Sequence, residues 1–259
     1  MPIGGGSFTV QNKVLPGAYI NFVSMGTNAK MGERGVAALP LELNWGPEGQ
    51  VFKLDAADFN ATSMKVFGYD PTDANILLVR EAMKRAKTLL IYRVNGGGTK
   101  ASATVGGMTV TAKYGGTRGN AIKVAVITNV DDATKADVVT YLDDMVMDSQ
   151  TVAKSGGAAS LVANDFVTFG TVATLAAATA TPLTGGANAT VNAAKHTAAL
   201  TAFEVETFNV IGYPGTVEDI KSLYAAFVKR LRDDEGKKIV GVLYGYDGDN
   251  MGLINVKNG

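Results

Sequence analysis

The protein has 259 residues, with 24 basic and 24 acidic side chains and no cysteine. The lack of cysteine excludes disulfide bonds, thiolate metal sites and cysteine nucleophiles. Nucleic-acid-binding proteins use a basic stripe to neutralise phosphates, and the sequence contains none, so we expect no nucleic-acid partner. Hydrophobic residues make up 46% of the chain, which is enough to bury one or two cores.

The N-terminal segment predicts an extended arm over residues 1–17. Residues 1–13 contain three consecutive glycines and almost no large apolar side chains, so they cannot form a core by themselves. They also lack the basic start and the apolar run of a signal peptide. No apolar stretch in the sequence approaches the roughly 20 residues that a membrane-spanning helix needs. We therefore expect a protein that is made and kept in a cytoplasm and makes no membrane contact.

Residues 18–95 are predicted to form the first half of an α/β core domain. Residues 18–22 alternate between apolar and polar side chains in the manner of a strand, and residues 35–43 predict a second strand. Pro40 lies within the second strand and has no backbone N–H to donate to a sheet. It therefore favours an edge position for that strand.

A helix is predicted from Asp70 to about Lys87. Asp70 is a good capping residue, Pro71 fits the first helical position, and Asp73 suits the positive end of the helix dipole. Four apolar residues then recur on one face: Ile76, Val79, Met83 and Ala86. Residues 89–94 follow as a nearly continuous apolar run, which is typical of a strand buried on both faces.

A β-rich domain is predicted over residues 96–188, inserted into the first domain. Glycines at 96–98 and 185–186 bound this stretch, and its composition changes to mainly Gly, Ala, Thr and Val with only weak helical periodicity. Short β-type runs separated by turn residues predict strands. The clearest of them span residues 108–113, 121–128, 138–142 and 165–169.

Residues 189–259 are predicted to complete the α/β core domain. A helix is expected over 191–203, a strand over 207–213, a helix capped by Thr216, and a strand over 239–244. The second helix carries a full apolar stripe and is followed by Gly236 as a left-handed cap. The stripe consists of Ile220, Leu223, Tyr224, Phe227, Val228 and Leu231. The alternation predicts an α/β fold with a small parallel or mixed sheet and flanking helices.

No motif in the sequence supports catalysis, cofactor binding or metal binding, so we predict that the protein is not an enzyme. The turn at residues 213–216 has one glycine and no lysine, unlike a phosphate-binding loop. The stretch from Asp247 to Asn250 resembles the start of a calcium loop but lacks its later ligands, so it favours a hairpin or loop turn. The paired carboxylates at 131–132 and 143–144 are expected to be solvated loop charges. The single histidine, His196, is expected on the solvated side of its helix.

The most charged segment lies at the end of the second helix and contains Lys229, Arg230, Arg232, Asp233 and Asp234. Ion pairs are expected between Lys229 and Asp233 and between Arg230 and Asp234, which are four residues apart. Two interpretations remain open for this segment. It is either a solvated helix end or a charged contact with another subunit, in which opposite patches would set the register.

Several phrases resemble tail sheath proteins of contractile-tailed phages, especially those of Gram-positive bacteria and their defective prophage particles. These phrases are GGGSFTVQNKVLPGAYINF, KYGGTRGNAIKV, MVMDSQTVAKSG, DFVTFG and FVKRLRDDEGKKIVGVLY. The resemblance extends over nearly the whole chain. It implies a structural subunit that polymerises around a tail tube and contracts to drive the tube through a target envelope. It implies no catalytic residue and no cofactor.

The resemblance also implies partners and a location. The partners would be further copies of the chain in a helical homopolymer, the tail tube protein, and the baseplate and tail terminator proteins. Assembly would take place in the cytoplasm of a bacterial host, and the product would be a virion tail or a phage-tail-like particle. Since proteins of this kind continue past the phrase INVKNG, we expect a C-terminal domain to be missing from this chain.

Exchange of strands between subunits is expected from the N-terminal region, because strand addition needs little side-chain specificity. The residues predicted to take part are Ser7, Phe8, Thr9, Val10, Tyr19, Ile20 and Phe22. Two other functions remain as alternatives. A nucleotide-binding α/β enzyme would need the glycine fingerprint that this sequence lacks, and a monomeric binding module would have no use for a glycine-rich arm.

Overall fold

The structure, a computed structural model, describes residues 35–257. The predicted arm at 1–17 and the predicted strand at 18–22 lie outside the described residues. The helices in the described part are α1 (Phe59–Phe67), α2 (Leu77–Met83), α3 (Ala193–Glu204) and α4 (Glu218–Asp233). No helix in this part is both long and apolar enough to cross a lipid bilayer.

The strands of residues 35–257 form three sheets. A six-stranded sheet contains β1 (Val36–Leu41), β2 (Val51–Asp55), β3 (Thr88–Arg93), β11 (Val210–Tyr213), β12 (Val240–Tyr244) and β13 (Leu253–Val256). A four-stranded sheet contains β6 (Ile122–Thr128), β7 (Lys135–Leu142), β8 (Met145–Ala153) and β10 (Ala178–Pro182). A three-stranded sheet contains β4 (Ser102–Val105), β5 (Met108–Ala112) and β9 (Val167–Phe169).

The six-stranded sheet confirms the predicted α/β class. Its strand order is β13-β12-β11-β1-β3-β2, and all neighbouring pairs are parallel except the antiparallel pair of β2 and β3. Every residue of β3 is buried, as the apolar run predicted. Successive side chains alternate between two cores: Leu89 and Ile91 pack with α1 and α2, whereas Leu90 and Tyr92 pack with α3 and α4.

The predicted edge position of the strand around Pro40 is wrong, because β1 lies in the middle of the sheet between β11 and β3. The backbone N–H of Val36 donates to Asn209 Oδ1 at 3.2 Å, and the carbonyl oxygen of Val36 accepts the backbone N–H of Asn209 at 2.9 Å. Both backbone groups of Val36 therefore face the β11 side. Every second residue of a strand points its backbone groups to the same side, so Pro40 also faces β11. The pairing with β11 ends at Ala38, and the missing N–H therefore leaves no gap in it.

The two residues predicted to cap the start of a helix, Asp70 and Thr216, do not do so. Asp70 does not cap a helix: its carboxylate accepts the N–H of Thr72 in a local turn, and α2 begins only at Leu77. A short 3₁₀ turn over Ala74–Ile76 precedes α2 and is capped by Asp73. These aspartates stabilise turns by local hydrogen bonds that compete with helix formation.

Helix α4 begins at Glu218, and Val217 occupies its capping position without a side-chain hydrogen bond. Thr216 therefore does not cap this helix as predicted. The apolar stripe of α4 is confirmed. Its buried members are Ile220, Tyr224, Phe227, Val228 and Leu231, with Leu223 packed partly buried beside them. Gly236 is left-handed as predicted, with φ of 69°.

The two smaller sheets pack face to face as a β-sandwich around one apolar core. The strands expected near 108–113, 121–128, 138–142 and 165–169 are present as β5, β6, β7 and β9. The sequence did not predict β4, β8 or β10, which are more polar and more exposed. A tight turn joins β7 to β8, with Asp143 and Asp144 both at positive φ.

Candidate assembly surfaces

The residues predicted for strand exchange lie outside the described residues, so that prediction stays untested. They are Ser7, Phe8, Thr9, Val10, Tyr19, Ile20 and Phe22. The predicted charged contacts, by contrast, lie at the C-terminal end of α4 and its following turn. Within residues 35–257, no group of three or more metal-ligating side chains is placed to hold a metal ion.

The predicted pairing of Arg230 with Asp234 is wrong. Arg230 contacts Glu204 at the end of α3, with 2.8 Å between charged atoms, and Glu235 at the same distance. The hydrogen bond from Arg230 lowers the pKa of the Glu204 carboxyl. Tertiary packing of α3 beside α4 provides this partner, and a cation placed four residues before an anion is the weaker orientation on a helix.

Lys229, Asp233 and Asp234 form the exposed remainder of the charged segment. The expected pair of Lys229 with Asp233 is not formed, and neither residue has an ion pair within the described part of the chain. Arg232 is half-buried and donates to the carbonyl oxygen of Ile239, which ties the helix end to the start of β12. Arg232 is thus used inside the fold, while the other three side chains are exposed to solvent.

The expected solvated position of His196 is wrong, because the side chain is only 5% exposed. The face of α3 that packs on the core consists of His196, Ala199, Leu200 and Phe203. Their spacing of three, four and seven residues is the helical signature. Alanine contributes little to an apolar stripe, so the buried face of α3 could not be recognised from the sequence.

The acidic pairs of the sandwich do lie in loops, but three of their four carboxylates have cationic partners. Asp143 pairs with Arg118, and Asp144 lies 2.6 Å from Lys123. Asp132 pairs with Lys135 at 3.3 Å and accepts hydrogen bonds from Thr134, which lower its pKa. These contacts stabilise the turns in which the acidic pairs lie.

Among residues 35–257, no helix or strand packs on one side of half of the six-stranded sheet, and we name this surface the open face. It consists of Val210, Gly212, Val240, Val242, Ile254 and Val256. Their neighbours Ile211, Tyr213 and Leu243 point the opposite way, into the core with α3 and α4. Within residues 35–257, α1 and α2 cover this side only over β1, β2 and β3.

The open face is apolar and accessible. Ile254 is 53% exposed and Val256 is 43% exposed, while the valines of β11 and β12 are half-buried. A groove runs from these strands to the end of α2, where Ala82, Arg85 and Ala86 line it. Contiguous exposed apolar surface is a common feature of interaction sites in proteins.

The strand β13 also has a free edge, since no described strand pairs with its outer side. The loop before it is fastened by Asp247, which pairs with Lys257 at 2.8 Å and accepts from Asn255. This is a loop turn, one of the two structures expected for the stretch from Asp247 to Asn250. The sequence reading missed β13 and the open face, because a four-residue strand gives almost no periodic signal.

Comparison with known families places these surfaces in context. Three domain families match consecutive parts of the chain. Residues 34–94 match the family described as "Tail sheath protein Gp18 domain III N-terminal region". Residues 96–188 match "Phage tail sheath protein beta-sandwich domain", and residues 189–259 match "Phage tail sheath protein central domain". The chain belongs to the phage tail sheath protein family. The resemblance of its sequence phrases to sheath proteins is thereby confirmed, and the family is one of structural proteins.

Individual sheath relatives agree with the family match. The chain is 40% identical to "Uncharacterized protein YqbK" and 39% identical to "Phage-like element PBSX protein XkdK", both from Bacillus subtilis (strain 168). Each alignment covers 99% of this chain and 58% of the relative. The chain therefore spans little more than half the length of the curated relatives it matches.

Two solved structures share the fold. The crystal structure of a sheath tail protein from Desulfitobacterium hafniense matches with a TM-score of 0.82 and 44% identity, over 93% of this chain and 56% of that one. A sheath tail protein from Listeria innocua matches with a TM-score of 0.76 and 38% identity, over 88% of this chain and 51% of that one.

Proposed function

We propose that the protein is a structural subunit of a contractile tail sheath, which polymerises around a tail tube and contracts to drive the tube through a target envelope. The observation that carries this proposal is the match of three sheath models to consecutive parts of residues 34–259. The protein is then not an enzyme and uses no cofactor. Its partners are further copies of itself, the tail tube protein, and the baseplate and tail terminator proteins.

The proposed organisation assigns each part of the chain a role. Residues 1–17 are an arm, residues 18–95 with 189–259 are the α/β core, and residues 96–188 are the inserted β-rich domain. Assembly takes place in the host cytoplasm, and the product is a virion tail or a phage-tail-like particle. Head-to-tail contacts that do not close into a ring give the helical polymer.

Strand exchange is the proposed link between subunits. Residues 7–10 or 18–22 would pair with a sheet edge of a neighbouring subunit, because pairing satisfies backbone groups on both sides. An arm of thirteen residues reaches at most about 45 Å when extended. The free edge of β13 is available among the described strands. The apolar open face beside it and the charges of Lys229, Asp233 and Asp234 supply further contact surface.

Negative-stain electron microscopy of the complete gene product tests the proposal. Hollow cylinders of uniform width are expected, whereas discrete particles at every protein and salt concentration would contradict it and favour a monomeric binding module. A protein lacking residues 1–13 should remain folded by circular dichroism and form no cylinders. A thermal-shift screen with nucleotides addresses the enzyme alternative, which predicts stabilisation by several degrees.

A further inference from the structure

A buried cation lies where the β-sandwich joins the α/β core. Arg93 is the last residue of β3 and is 1% exposed. Its guanidinium donates to three neutral oxygens: Asn95 Oδ1 at 3.2 Å, the Gly46 carbonyl at 3.2 Å and Asn188 Oδ1 at 3.3 Å. Burial lowers its pKa. A buried charge needs such hydrogen bonds, and the planar fork of arginine can reach acceptors in several directions at once.

The three acceptors belong to separate segments of the junction. Asn95 lies where the chain leaves the core, Asn188 lies where it returns, and Gly46 belongs to the loop after β1. The two asparagines extend the network. Asn95 Oδ1 also accepts the N–H of Leu43 at 2.9 Å, and Asn188 accepts the N–H of Thr117 in the sandwich at 3.3 Å.

The two crossing segments also touch each other directly. Thr99 and Ala187 form an isolated antiparallel bridge. A methyl group added at Gly116 would lie 2.3 Å from the Asn44 carbonyl oxygen and 2.7 Å from Arg93 Nη2. Only glycine permits this close approach of the sandwich to the buried guanidinium.

Further contacts also join the sandwich to the α/β core. Arg118 of the sandwich donates to the Gly68 carbonyl oxygen at 2.7 Å and lies 4.3 Å from the centre of the Tyr69 ring. Lys65 of α1 pairs with Asp165 of the sandwich at 3.2 Å. A hinge motion of the sandwich would break these contacts together with the network around Arg93.

We propose that Arg93 is a lock that holds the inserted sandwich in one orientation on the α/β core, so that the two parts move as one rigid body. Both crossing segments converge on its guanidinium, so neither can swing without losing a hydrogen bond of a buried charge. Given the proposed function, relative motion in a sheath would then be confined to contacts between subunits. The lock itself is a property of the single chain.

Distances between spin labels test the lock directly, because the chain has no cysteine to interfere with labelling. One cysteine replaces Val146 on β8 of the sandwich, which is 61% exposed, and another replaces Ala226 on the exposed side of α4. The full chain should give one narrow distance distribution by electron paramagnetic resonance. In Arg93→Gln the distribution should become at least twice as broad.

Two controls keep the result interpretable. A pair at Ala61 on α1 and Ala226 on α4 spans the core alone, and its distribution should stay narrow in every variant. Arg93→Lys should also broaden the first pair, because an ammonium group cannot contact three divergent acceptors at once. If Arg93→Gln does not fold, Arg93→Lys and Asn188→Ala replace it.

A broad or two-peaked distribution in the parent chain would overturn the lock without any variant. Equal widths in the parent and the folded Arg93 variants would overturn it as well. Since these measurements use the isolated chain, failure of the lock is distinguishable from failure to form cylinders.

Discussion

The Nδ1 atom of His196 lies 3.0 Å from the hydroxyl oxygen of Tyr224, within the packing of α3 against α4. The imidazole also meets the ring of Tyr213 edge-on at 5.3 Å. Burial lowers the pKa of His196 and raises that of Tyr224, so both groups are neutral at neutral pH. This contact makes the only histidine of the chain part of the core.

The first prediction is a loss of stability in mild acid through His196. The unfolded chain binds a proton near the ordinary histidine pKa of about 6.5, whereas the folded chain binds it only at lower pH. Unfolding therefore takes up a proton in this window, and stability falls as the pH drops below about 6.5. His196→Gln keeps a polar partner for Tyr224 but does not titrate. Urea unfolding between pH 7.5 and pH 5.5 should show a steeper loss for the parent than for this variant, and parallel losses would contradict the assignment.

The second prediction concerns Trp45, the only tryptophan of the chain. Its ring is 5.3 Å from Tyr114 and 6.4 Å from Phe166, so it packs against the sandwich. Trp45→Ala should reduce the free energy of unfolding by about 3–5 kcal/mol, because it leaves a large cavity. Trp45→Phe is the matched control and should lose less, since it keeps a ring and removes an indole N–H that has no hydrogen-bond partner among the described residues. Circular dichroism in urea measures both, and equal losses would contradict the cavity argument.

The third prediction concerns the close approach of the two crossing segments at Gly98. A methyl group added there would lie 2.1 Å from the Ala187 carbonyl oxygen, so the backbone would have to move. Gly98→Ala should lower the free energy of unfolding by about 1–3 kcal/mol. Gly49→Ala tests backbone strain without crowding, because Gly49 has φ of 74° and no atom within 4 Å of the added methyl group. A larger loss in Gly49→Ala than in Gly98→Ala would refute the crowding at this junction.

The fourth prediction separates folding from assembly on the open face. Ile254→Lys places a charge on an exposed side chain, so the unfolding transition should shift by no more than about 0.5 kcal/mol. The same charge in the complete gene product should prevent cylinders, because an unpaired charge buried in an apolar contact is unfavourable. Val130→Lys is the control, since Val130 is 95% exposed in a sandwich loop. Normal cylinders from Ile254→Lys would remove the open face from the assembly contacts.

The fifth prediction concerns the exposed charges at the C-terminal end of α4. Lys229→Glu reverses a charge that has no ion pair within residues 35–257, so the thermal midpoint of the single chain should not change. If Lys229 faces another subunit, the variant should need a different salt concentration to form cylinders. Arg230→Ala breaks the contacts with Glu204 and Glu235 and serves as the control for changes inside the chain. Unchanged salt dependence in Lys229→Glu would leave this segment as a solvated helix end.

Elements whose burial repeats with a regular period could be predicted from the amino-acid sequence. The stripe of α4, the apolar run of β3 and four sandwich strands were predicted because each side chain reports which face of its own element is buried. The α/β class followed from the order of these elements along the chain. Local turn chemistry was less reliable, since Asp70 forms a local turn before α2 and Thr216 does not cap α4, although both residue types favour a capping position.

Features that depend on partners distant in sequence could be identified only in the folded chain. Arg93 is buried because Asn188, 95 residues away, supplies an acceptor, and no local pattern encodes that meeting. Likewise, the hydrogen-bonding partner of His196 is Tyr224, which lies 28 residues further along the chain. Pro40 is tolerated inside the sheet because the pairing with β11 stops before it. The composition and hydrophobic period of a segment indicate which of its side chains are buried and which are exposed. Which residues lie next to a given side chain is set by the packing of the whole chain.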